Sequence, residues 1–138
     1  MPTTAAQLPD LGGGDDFAAI LDHVADGVTV QNASGRLVYA NGAAAHALGF
    51  ASAAELLATP LPEVLARFTV LDEDGTPLPI ERLPGRRALA GEAEPAMTAR
   101  FRIVATGEER WSSLRATPML DGVGRVRGVV NVWHDVTA

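Results

Sequence analysis

Three histidines, seventeen carboxylates and eleven cationic side chains are the groups with which this 138-residue chain could do chemistry. Spacing brings few of them together. His23, His46 and His134 lie far apart, and no two stand at the separation of a ligand pair, so a metal site is not expected. The chain has no cysteine, which excludes a disulfide framework, a thiolate zinc site and a thiol nucleophile. Ser112 and Ser113 are not framed by the glycines of a nucleophile elbow, and no glycine-rich loop leads from a strand into a helix to cradle phosphate. Asp72-Glu73-Asp74 resembles half of a calcium loop. Gly75 and Pro77 interrupt it and no bidentate glutamate follows, so the segment reads as a polar turn. A small cone-shaped α+β isomerase or hydratase, working with a pocket acid beside Tyr39, would need a carboxylate with a raised pKa in an apolar cavity. Every Asp and Glu falls instead in a turn, a cap or a helix surface. Arg86 and Arg87 remain, able either to hold a carboxylate in bidentate fashion or to stand as solvated charges.

The elements that would position these groups follow from composition and periodicity. At this length one domain is expected, and 47% apolar residues suffice for a core. No apolar run is long enough to cross a bilayer, and the N-terminus lacks the pattern of a secretory signal, so a cytoplasmic location is expected. The net charge of −6 argues against nucleic acid or an anionic membrane as the main partner.

Residues 1–14 read as a tail ending in three glycines. Asp15 and Asp16 can start a helix over 15–26, whose Phe17, Ile20, Leu21 and Val24 form one apolar stripe. Two strands joined at Asn32–Gly35 follow, then a helix capped by Asn41 and another opened by the Ser52/Glu55 capping box. Pro62 can start a further turn, Phe68–Leu71 reads as a short strand, and a short helix runs from about Gly85 to Ala90. The last third alternates in three long strands, Met97–Ile103, Arg110–Leu120 and Arg125–Val136. An α+β domain is expected, with the first hairpin paired to this meander and helices over one face.

Taken in order, several fragments resemble the PAS sensor domains. They include Asp26-Gly27-Val28, Ser34-Gly35-Arg36-Leu37-Val38-Tyr39-Ala40-Asn41, Leu48-Gly49-Phe50, Asp74-Gly75-Thr76-Pro77, Arg110-Trp111 and Asp135-Val136-Thr137. The resemblance covers about 16–137 and implies a five-stranded antiparallel sheet, a PAS core over 27–137, and helices enclosing a small apolar cavity. It implies a non-enzymatic sensory module of a bacterial signalling protein. Asp135 and Thr137 would form the junction to a C-terminal effector, such as a histidine kinase, expected beyond Ala138. Haem-binding relatives place a histidine on the short helix before the meander, where Gly85–Ala90 has none, and covalent flavin needs a cysteine. Haem and covalent flavin are therefore disfavoured and the cofactor, if any, stays unknown.

Alternation then suggests faces. Val28, Val30, Phe101, Leu114, Val130 and Val132 are expected to line the cavity, covered by Leu48, Leu57, Leu65 and Leu89 from the helices. The alternative is a close-packed core with no void. Trp111 and Trp133 are expected on the opposite face among arginines, a surface that full solvation does not favour. Phe17, Ile20, Leu21 and Val24 could cover that face from the same chain or pair with a second copy. The resemblance favours a homodimer. A small-molecule sensor and a ligand-free dimerisation scaffold remain the two alternatives.

Overall fold

A computed structural model of the chain describes residues 26–137. The expected tail over 1–14 and the leading helix, with Phe17, Ile20, Leu21 and Val24, lie outside the described residues. Strand β1 (Gly27–Asn32) and strand β2 (Leu37–Ala40) form the first hairpin. Three short helices follow, α1 (Gly42–Ala47), α2 (Ala53–Ala58) and α3 (Leu61–Leu65), then strand β3 (Phe68–Leu71). A 3-10 turn at Ile80–Arg82 leads into helix α4 (Pro84–Leu89), and the meander consists of β4 (Ala96–Ile103), β5 (Glu109–Leu120) and β6 (Val126–Asp135). The strands form one antiparallel sheet in the order β2-β1-β6-β5-β4-β3, so it has six strands where five were expected. The sixth is Phe68–Leu71, which pairs with Arg100–Ile103 at the sheet edge.

Local chemistry fixes the elements. Asn41 is fully buried, and its Oδ1 accepts from Ala44 N at 2.9 Å, capping α1, and from Val28 N at 3.0 Å. Its Nδ2 donates to the Asp26 carbonyl at 3.0 Å, so one side chain ties helix α1 to the start of β1. At α2, Ser52 Oγ accepts from Glu55 N, while the Glu55 carboxylate reaches back to Ala51 N rather than to the cap residue itself. Gly35 stands at φ 88°, the left-handed region that closes the β1–β2 turn. The helices cover one face of the sheet. Ala44, Ala45, Phe50, Leu56 and Val64 pack together beside Ala40, and Ala88 of α4 meets Ala116 and Val129. No helix among the described residues is long and apolar enough to cross a membrane.

One irregularity decides the faces. Between β5 and β6 the register shifts by one residue, from Met119↔Gly128 to Leu120↔Val126, leaving Arg127 as the extra residue of a bulge. A shift of one residue exchanges the two faces of a strand. Beyond the bulge, Leu114 stands opposite Trp133 and Ala116 opposite Asn131. Continued through Val28↔Val132 and Val30↔Val130, this corrects four expected lining residues: Val28, Val30, Val130 and Val132 have their side chains on the face away from the helices. There they pack with Tyr39 and Met119, and Val28 and Val30 are each 2% exposed. Trp133 is corrected in the opposite sense, to the helix side. Its indole lies directly against Gly27, at a spot that any Cβ would occupy.

Candidate ligand cavity

A cavity of about 230 Å³ lies between the helix-bearing face of the sheet and the layer formed by α1, α3 and α4. Its walls are mostly apolar. Leu48 and Leu65 come from the helix segments, Phe101 and Leu114 from β4 and β5, and Ile80 and Leu83 from the segment entering α4. Trp133 adds an aromatic wall. Phe101 also meets Phe68 edge-on, their centroids 6.4 Å apart, which sets the ring from the strand side.

A row of polar side chains stands on this wall. Asn131 Nδ2 donates to Gln31 Oε1 at 3.0 Å and contacts Thr29 Oγ1 at 3.3 Å, and Gln31 Nε2 donates to the Gly35 carbonyl at 2.9 Å. Thr29 and Gln31 are buried, so these bonds satisfy groups that have lost water. Helix α4 approaches this row at Gly85, where an added Cβ would stand 2.7 Å from Asn131 Oδ1 and 2.9 Å from Gln31 Oε1. The glycine is therefore what lets the helix lie on the amides.

Charged groups gather where the cavity meets the end of β6. Arg110 and Asp135 both line it, with Arg110 Nη1 3.8 Å from Asp135 Oδ2 and Arg110 Nη2 3.2 Å from Glu108 Oε2. Asp135 Oδ1 accepts from Thr137 N at 2.8 Å, and Thr137 Oγ1 accepts from Trp111 N at 2.8 Å. Val136 N donates to the Trp111 carbonyl at 2.8 Å, so the exit segment is clipped to the start of β5. Hydrogen bonding from Thr137, side chain first and backbone second, holds the Asp135 carboxyl below the usual aspartate range, and the charges of Arg110 and His134 add to this.

Of the expected lining residues, Leu48, Leu65, Phe101 and Leu114 face the cavity, and Val132 borders it while its side chain packs in the opposite cluster. Leu57 packs against the helix core and Leu89 against Ala88, Ala116 and Val129, neither lining the cavity. Trp111 keeps the outer face, with the Arg100 guanidinium 5.1 Å from its ring centroid. Arg86 lines the cavity, whereas Arg87 Nε donates to Glu92 at 3.0 Å. Sequence reasoning missed Thr29, Gln31 and Asn131 because alternation with Val28, Val30, Val130 and Val132 facing inward turns them to the other face, and it did not single out Ser112, which is in phase with Leu114. A signal was present in Gly27, a glycine opening a strand that faces a tryptophan. His134 Nδ1 lies 2.6 Å from Asp26 Oδ1, and no three His, Cys, Asp or Glu side chains gather as a metal site among the described residues.

A single antiparallel sheet with short helices closing a chamber against it defines the class of compact single-sheet cavity domains. The chain belongs to the PAS-fold family: the family model described as "PAS fold" matches residues 21–138. Among solved structures it is similar to an RNA-binding Light-Oxygen-Voltage receptor, with 28% identity and a TM-score of 0.63 over 99% of this chain and 37% of that one. The chain thus spans little more than a third of that receptor. It is also similar to the PAS domain of nitrogen regulation protein NR(II) from Vibrio parahaemolyticus (14% identity, TM-score 0.60, 86% of this chain and 96% of that one). A PAS domain from a two-component sensor histidine kinase is similar at 13% identity and TM-score 0.58, over 88% of this chain and 94% of that one. No curated protein matches the chain.

Proposed function

We propose that this domain is a sensory module, without catalysis of its own, that binds a small ligand in the cavity and relays its presence through the segment after β6. One observation carries the reading: Asp135 lines the cavity and also holds Thr137, whose hydroxyl is bonded to Trp111 N. A molecule that rearranges the Arg110–Asp135 end of the chamber therefore acts on the same carboxylate that orders the exit. The relay is a shift between two populations of that segment, biased by whatever occupies the chamber. The family membership and the likeness to a Light-Oxygen-Voltage receptor and to a PAS domain from a sensor histidine kinase support the sensory part, and the relay would act on an effector such as a histidine kinase.

Ligands found by thermal shift should move the amide NMR signals of Trp111 and Thr137, and filling the chamber with Leu114→Trp should abolish both the stabilisation and the movement. Ligands that stabilise the domain yet leave Trp111 and Thr137 unmoved would refute the relay. A metabolite library that gives no stabilisation would refute the sensing.

A further inference from the structure

Adjacent arginines on α4 have different surroundings. Arg87 is held by Glu92 through two contacts. Arg86 lines the cavity and is exposed, and among the described residues no carboxylate comes within ion-pair distance of it. The other charges around the chamber are accounted for. Arg110 is matched by Asp135 and Glu108. Arg115 borders the cavity, but it stands opposite Val132 and so has its side chain on the outer face of the sheet. The chamber is thus mostly apolar, with a paired amide row and the Arg110–Asp135 pair on its wall, and Arg86 is the lining cation that no described carboxylate matches.

We infer that the ligand is an amphiphilic monocarboxylate, its head against the Arg86 guanidinium and its hydrocarbon body among Leu48, Leu65, Phe101 and Leu114. The inference rests on the ligand-binding reading of the cavity. A planar guanidinium pairs with a carboxylate through two parallel hydrogen bonds, which gives direction as well as attraction. Each methylene buried by the apolar walls adds roughly fourfold in affinity. A dicarboxylate would set its second charge against apolar walls and the Asp135 carboxylate, and an amine would leave two cations facing one another.

The test titrates the ¹⁵N-labelled 138-residue chain with octanoate and with 1-octanol, a neutral match, and follows the indole N–H signals. Trp133 lines the cavity, so its indole N–H reports occupancy of the chamber directly. Octanoate is expected to shift the Trp133 signal, and Arg86→Gln to weaken octanoate about tenfold, the scale of one charge-assisted contact, while octanol binding is unchanged. Added salt should weaken octanoate and not octanol in the unsubstituted protein, a readout independent of the variant. If Arg86→Gln and salt affect both molecules alike, or neither, the anionic class is refuted and the cavity remains a ligand site. If neither molecule moves the Trp133 signal, both readings fall.

Discussion

The two halves of the sheet present different mixtures of side chains to the helices. Strands β4 and β5 turn Ala99, Phe101, Leu114 and Ala116 toward them, as an alternating strand over a core should. Strands β1 and β6 turn Thr29, Gln31 and Asn131 the same way and put Val28, Val30, Val130 and Val132 on the far side. The far side of β1 is nevertheless buried, whereas Arg102 and Ser113 on that same face of β4 and β5 are exposed. Alternation shows that a strand has two unlike faces. Which face meets the core is decided by register, and here one bulged residue sets it.

The largest expected effect probes the far side directly. Val30→Asp places a carboxylate where the side chain is 2% exposed among Val28, Tyr39 and Val130, and should cost about 4 kcal/mol, a large share of a small domain's stability. Ser113→Asp, on the same face of β5, should change stability by no more than about 0.5 kcal/mol. Urea denaturation of the two variants decides the matter. Equal tolerance would mean that the far side of β1 is open in solution and the contrast between the halves is false.

A smaller effect tests whether the inward polar row is a satisfied network. Asn131→Leu removes the donor to Gln31 Oε1 and should cost about 2 kcal/mol, because a buried acceptor loses its partner. Adding Gln31→Leu should recover part of that loss, since removing both partners leaves nothing unpaired. A double-mutant cycle measures this as a coupling of about 1 kcal/mol or more between the two sites. Strict additivity would show that water, not the partner side chain, satisfies Gln31.

The element boundaries and caps were largely legible because they are local. Asn41, Ser52 and the glycines at 35, 49 and 91 act within a few residues, and the structure shows each acting as its type suggests. Cavity residues were legible only where their strand was read in the right phase. Leu114 and Phe101 fell on the helix side; Val130 and Val132 did not, because an unbulged hairpin would have placed them opposite Ala116 and Leu114. Gly128 marks the defect. A Cβ there would stand 2.7 Å from Met119 Cε and 2.8 Å from the Gln31 carbonyl oxygen, a close approach that only glycine permits, yet alternation gives a mid-strand glycine no weight. The polar row was hidden by the same phase, since inward valines put Thr29, Gln31 and Asn131 on the far face. The members of the row are paired with one another across strands, and a single strand read alone shows only polar residues that solvent would suit.

The smallest effect lies where the two halves meet, at the end of β6. Thr137 holds the Asp135 carboxyl below the usual aspartate range, so the ionised form is favoured by the folded exit segment. The sign follows from linkage. The stabilisation is complete above the pKa of an unfolded aspartate and is lost as pH falls through the lower folded value. At neutral pH the segment is therefore fully held, and loosening should begin only under acid conditions. Because the Asp135 side chain is about half exposed, at 51%, solvent screening keeps the effect local to the segment. The expected observation is a pH titration of the Trp111 and Thr137 amide signals whose midpoint lies below the ordinary aspartate range, and which Asp135→Asn removes. A midpoint within that range, or one that survives in Asp135→Asn, would show that the carboxylate does not hold the exit. The cavity would then be separated from the segment that follows β6.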